Sequence, residues 1–205
     1  MNKTIYIGID PSINSTGVVI RDGKDTYFYI IKNNDHKLNN KGIKKDPLTK
    51  KERIAQETQE HFEYVLYDKM YGAKEESSYD RESRKTQSLV NICKTLDNII
   101  SRHTIGGCIC NACIEGISYG SSGHTTAIYD LAGLNYLLRK TLYDHCDNVL
   151  IAPPGHVKKF ATGNGSADKD TMITVFEAIH PELDIPKKDD IADAWFMSLM
   201  AEKEI

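Results

Sequence analysis

The stretch that most constrains this chain is TIYIGIDPSINSTGVVI, residues 4–20. Ile5-Tyr6-Ile7-Gly8-Ile9 is a nearly unbroken apolar run of strand length. Such a run predicts a strand covered on both faces and central in its sheet. It ends on a carboxylate, Asp10. A tight polar turn follows, and Thr16-Gly17 leads into a second apolar run, Val18-Val19-Ile20. A third, TYFYII at residues 26–31, comes after the turn dipeptide Asp22-Gly23. Three such runs predict an antiparallel meander whose most buried strand carries an ionisable group at its end.

The remainder alternates helical and strand patterns. Residues 33–47 are polar, rich in Lys and Asn and without periodicity, hence loop. From Thr49, apolar residues recur sparsely at Ile54, Phe62, Val65 and Leu66, which predicts a helix that residues 72–79 break. Leu89, Ile92, Cys93, Leu96, Ile99 and Ile100 form the stripe of a second helix. Residues 108–114 read as a strand ending at Glu115. After a Gly/Ser-rich loop, a helix over about 126–143 turns Leu131, Leu134, Leu137, Leu138 and Leu142 inward. A short strand at 149–152 is stopped by Pro153-Pro154, and a helical turn follows at 157–161. Asp168 caps a helix over 169–179. The last helix buries Ile191, Ala194, Trp195, Leu199 and Met200. This order predicts an α/β fold with a mixed sheet, an antiparallel meander extended by parallel crossovers. At 205 residues and 40% hydrophobic composition, one domain over 1–205 is expected, with a polar loop and helix inserted at about 33–79.

Charge and cysteine content narrow the function classes. The net charge of -3 does not advertise a nucleic-acid partner. Between Lys37 and Arg53, however, seven Lys or Arg face only Asp46 and Glu52, a segment that on its own reads as a solvated loop. No secretory signal or bilayer-spanning run is legible, so a soluble, cytoplasmic protein without membrane contact is expected. Cys110 and Cys113 form a Cys-x-x-Cys, but no second ligand pair with zinc-site spacing accompanies them. On a strand, Cys108 and Cys110 share one face and Cys113 takes the other, so reduced core thiols are expected.

The carboxylates carry the chemistry. Asp10 and Glu115 each follow directly on a buried strand, and two strands of one sheet can bring such acids to the same edge. Asp190 and Asp193 are three apart on the last helix and share a face. Asp189 and Asp193, four apart, share one too, and spacing does not choose between Asp189 and Asp190. Packed carboxylates repel, and a bound divalent cation removes that repulsion. Oxygen ligands suit magnesium or manganese. Two ions roughly 3.5–4 Å apart can activate a water and stabilise the leaving oxygen of a phosphodiester.

The segments IGIDPSINSTG, IEGISYGSSG, PPGHVKKFATGNGSADKD and DDIADA occur in the order found in RuvC-type Holliday junction resolvases, which the chain resembles over roughly residues 4–32 and 107–201. The likeness is strongest to phage-encoded relatives. It implies a ribonuclease H-like fold with a five-stranded mixed sheet flanked by helices. It further implies a magnesium-dependent endonuclease, with two ions that manganese can replace, acting on branched DNA in recombination and repair. Asp10, Glu115, Asp190 and Asp193 match the metal-binding catalytic acids, the Asp-x-x-Asp spacing favouring Asp190 over Asp189. Lys158 and Lys169 match basic residues that contact DNA phosphates. Tyr119 falls about where resolvases carry an aromatic that stacks on an unpaired base. A homodimer making paired nicks that leave 5′-phosphates is implied, in the host cytoplasm for a phage protein. One departure is plain: more than a hundred residues separate Asp10 from Glu115, a longer spacing than in bacterial resolvases.

Other readings stay open on the residues alone. A broader nuclease for flaps and forks has the same site. An ATP-binding actin-like or sugar-kinase-like phosphotransferase shares the strand-turn-strand but needs two such lobes. A proofreading-type exonuclease wants a second acid two residues after the first, where Ser12 stands. A non-catalytic junction-binding module would not need the acids.

Overall fold

The computed structural model describes residues 3–34, 46–70, 76–117 and 125–205, with side chains from residue 128 onward in the last segment. Three strands form the expected meander: β1 (Thr4–Asp10), β2 (Ser15–Asp22) and β3 (Asp25–Asn33). Gly23, at φ +62°, makes the turn between the last two. Then come α1 (Lys50–Thr58), β4 (Phe62–Tyr67), α2 (Ser78–His103), β5 (Ile109–Glu115), α3 (Thr125–His145) and β6 (Asn148–Ala152). Three helices close the chain: α4 (Pro154–Thr162), α5 (Lys169–Ile179) and α6 (Lys188–Lys203).

The sheet order is β4-β3-β2-β1-β5-β6. β1 pairs antiparallel with β2 and parallel with β5, so it is central, as its apolar run requires. Strands β3, β2, β1, β5 and β6 make the expected mixed sheet of five. A sixth strand, β4, extends it by pairing parallel with β3. This corrects the five-strand expectation and the single helix read from Thr49. The helix ends at Thr58, and His61, at φ 59°, turns the chain into FEYVLY. Phe62 and Tyr64 then face one layer and Val65 and Tyr67 meet the other, a pairing that only the edge of β3 supplies.

Two helical layers cover the sheet. Ile5, Ile7, Ile9, Val18, Ile20 and Ile114 face α2 and α3, whose Ile92, Leu96, Leu134 and Leu138 are buried against them. Alternate residues face α1, α4, α5 and α6. Helix α6 is buried almost all round and lies directly on β1 and β2. Gly8 and Gly17 permit this: a Cβ on Gly8 would stand 1.8 Å from the Ala194 carbonyl oxygen, and one on Gly17 2.2 Å from that of Asp190. In α3, Leu134, Leu138 and Leu142 are buried as expected, whereas Leu131 is exposed. All five cysteines are free thiols. Cys110 and Cys113 belong to opposite layers, so their Cys-x-x-Cys does not converge.

Candidate metal and phosphodiester site

Asp10 and Glu115 end neighbouring parallel strands, one step beyond the paired Ile9 and Ile114. Alternation along both strands puts Ile9 and Ile114 in the α2–α3 layer, so both acids fall on the α6 face. Helix α6 brings Asp190 and Asp193 over the same edge. The first turn of α6 is a favourable place for Asp190, since the helix N-terminus attracts negative charge.

Charge and burial act together here. Burial pushes the Asp10 carboxyl well above its ordinary value, and the charges of Glu115, Asp193 and Asp190 push it further, against Lys169. Glu115 is pushed up to about 7 by burial and by Asp193, with Lys158 and Lys169 opposing. Asp193 is raised to about 6, by burial first, against Lys169 and Lys158. Asp190, 9% exposed, is raised by burial while the Ser15 hydroxyl, donating to its Oδ2 at 2.5 Å, opposes the rise. These mutual influences put the four acids and both lysines in one neighbourhood.

Asp189 bears on Asp190 and Asp193 with its charge but shifts the opposite way. Burial works to raise it, but the Lys169 ammonium, 3.0 Å from its Oδ2, holds it low. The two adjacent aspartates thus have different partners, Ser15 for Asp190 and Lys169 for Asp189. Tyr119 lies outside the described residues.

Four carboxylates on three rigid elements form an oxygen-only donor set that fits a hard divalent cation. Among the described residues, no three His, Cys, Asp or Glu side chains stand close enough to form a ready-made cage. The fit therefore rests on the donor chemistry and on the repulsion that a cation would relieve.

The sequence reading passed over Ser15, the docking glycines Gly8 and Gly17, and Asn135. Asn135 is 3% exposed and its Nδ2 donates to the Glu115 carbonyl at 2.8 Å. Its signal was present: a polar residue four after Leu131 and three before Leu138, inside the apolar stripe.

No protein-family model matches the chain, and no curated protein matches it. Among solved structures it is similar to Thermus thermophilus RuvC, at 14% identity over 98% of this chain and 96% of that one, with a TM-score of 0.47. T. thermophilus RuvC in complex with a Holliday junction substrate is similar at 14% identity, over 95% and 90% of the two chains, with a TM-score of 0.49. The yeast mitochondrial Holliday junction resolvase Ydc2 is similar at 12% identity, over 94% and 75%, with a TM-score of 0.46.

Proposed function

We propose that this chain is a divalent-metal-dependent, structure-selective endonuclease that cuts branched DNA, four-way junctions foremost. The observation that carries the reading is the meeting of Asp10 and Glu115 on one face of adjacent strand ends, beneath Asp190 and Asp193 of α6. The resolvase-like sequence segments supply the substrate class. Residues 1–205 would form one nuclease domain, with the 33–79 segment inserted.

Asp10, Glu115, Asp190 and Asp193 would hold the metal, taken to be a pair of Mg2+ ions that Mn2+ can replace. Bound there, the ions would supply an activated water and charge stabilisation for phosphodiester hydrolysis. Ser15 fixes the Asp190 carboxylate. Lys158 and Lys169 would hold the scissile strand by its phosphates, as compact, strongly hydrated charges suited to that contact. Tyr119 is assigned to base stacking at the branch.

A four-way junction has two-fold symmetry, so paired nicks call for two copies of the chain. Helix α3 is the candidate contact: Tyr129, Tyr136 and Tyr143 recur every two turns and are exposed. Sedimentation of the protein with and without a junction measures this.

The deciding experiment is a labelled synthetic four-way junction with and without Mg2+, beside flap, fork and linear duplex controls. Cleavage of the junction only with Mg2+, and no cleavage of duplex, is the expected result. Equal cutting of linear duplex would overturn the substrate. Equal cutting of flaps and forks would replace the junction-specific reading with a broader debranching one.

A further inference from the structure

The ladder between β1 and β5 breaks at the point where the candidate site begins. Ile109 donates to the Lys3 carbonyl, and the register then pairs Ile9 with Ile114. In a parallel pair, alternate residues of one strand make the bonds to its neighbour, so Ile109, Asn111, Cys113 and Glu115 face β1 with their backbone groups. The regular donor to the Glu115 carbonyl would be the N–H of residue 11. That residue is Pro11, which has none.

Asn135 replaces it. From α3, in the opposite layer, its Nδ2 donates to the Glu115 carbonyl. A carbonyl accepts only from a donor, so this contact fixes which end of the amide is which. The other end, Oδ1, is buried and has no partner among the described residues. A buried acceptor without a partner lowers stability. An asparagine in the apolar stripe of α3, with half its capacity unused, is therefore justified by its donor alone. A cleft of about 120 Å³, lined by Pro11, Glu115, Ile117, Leu131 and Asn135 among others, opens beside the bond on the α3 side of the Glu115 strand end, the face opposite α6.

The geometry assigns Asn135 as a positioning residue: it completes the strand end from which Glu115 projects and so fixes that carboxylate for a divalent cation. The assignment rests on the metal reading of Glu115. Metal sites owe much of their affinity to groups that orient the ligands, and losing such a group typically weakens binding about 10–100-fold.

The test uses the full chain carrying Asn135→Leu or Asn135→Ala. Mn2+ affinity is measured by calorimetry, the thermal midpoint without metal, and junction binding without metal. Both variants should bind Mn2+ about 10-fold more weakly or worse, with midpoint and junction binding close to wild type. Mn2+ affinity within twofold of wild type in either folded variant overturns the assignment. So does a weakening accompanied in both by collapse of the metal-free midpoint, which makes Asn135 structural only. If the leucine variant fails to fold, the alanine variant decides. Wild-type protein that binds no Mn2+ sinks the metal reading itself, and the assignment with it.

Discussion

Two buried groups of charges lie on the same face of one sheet, and they are built on opposite principles. Near the end of β3, Lys32 meets Glu52 of α1, 2.6 Å between Nζ and Oε1. Glu52 also closes a capping box with Thr49, whose hydroxyl accepts from the Glu52 N–H while Oε2 accepts from the Thr49 N–H. Burial works to raise the Glu52 carboxyl, yet Lys32 and Thr49 outweigh it and hold it low. Two strands away, Asp10, Glu115, Asp190 and Asp193 are raised first by burial and then by neighbouring carboxylates, Asp189 among them for Asp190 and Asp193. The first group is complete within the chain and anchors α1 to the sheet. In the second, Lys158 and Lys169 oppose the rise without cancelling it, and Glu115 and Asp193 stay raised. A buried charge balanced by its counter-charge in the fold reads as structure, and a like-charged set that nearby lysines do not balance reads as a candidate site.

Removing one charge from each group should separate them most sharply. Asp10→Asn should lower junction cleavage roughly 10³-fold, the scale of losing a group aimed at transition-state charge, while junction binding persists. The same substitution removes a repelling charge, so the metal-free protein at pH 8 should melt higher than wild type. A lower melting point would mean that the acids are not in mutual strain.

Gly17→Ala disturbs the acid side through packing alone. The added Cβ would stand against the backbone of Asp190. Overpacking against a helix backbone costs about 3 kcal/mol, and α6 should shift enough to weaken Mn2+ binding. Gly23→Ala, whose Cβ would meet nothing within 4 Å, is the control: strained by its left-handed φ but without effect on metal affinity.

Glu52→Gln tests the balanced pair. It leaves Lys32 without its counter-charge, at about 2 kcal/mol, less than for a fully buried pair because Lys32 reaches water. Chemical denaturation should show the loss, and Lys32→Met in the same chain should recover part of it. Cleavage at saturating Mg2+ should stay near wild type. A large loss of cleavage would place Glu52 in the site and end the contrast.

How far the sequence reveals these regions follows from where the information lies. Asp10 and Glu115 could be read because each ends an apolar strand, a pattern local in sequence. The Asp168 cap was legible for the same reason, its side chain accepting from the Thr171 N–H three residues on. FEYVLY was misread because Phe62, Val65 and Leu66 fit a sparse helical spacing as well as a strand. What decides for the strand is the edge of β3, which no window around residue 62 contains. The fit of Gly8 and Gly17 to α6 joins residues nearly the whole chain apart, and glycine in a strand does not announce what approaches it. Asn135 showed as a polar interruption of an apolar stripe, but its partner became evident only once the register had brought Pro11 beside Glu115.

The pH dependence of stability weighs both groups at once. Glu115 and Asp193 rise from ordinary values of 4.5 and 3.8 to about 7 and about 6. Between about pH 4 and 7 the folded state therefore holds protons that the unfolded chain has lost. Stability from these acids is present below their ordinary values and is lost as pH rises through the folded ones. Glu52, held low, runs the other way, contributing above its ordinary value and losing that contribution as pH falls through its folded one. Metal-free protein should thus lose on the order of 4 kcal/mol from pH 5 to pH 8, a drop on the order of 10 °C in Tm for a chain of this size. Mg2+ should restore the midpoint at pH 8 and do little at pH 5, where protons already occupy the acids. In the Glu52→Gln background the decline should persist, because its source is the other cluster. In Asp10→Asn it should flatten in part, since the raised Asp10 carboxyl, itself one source of the decline, is gone.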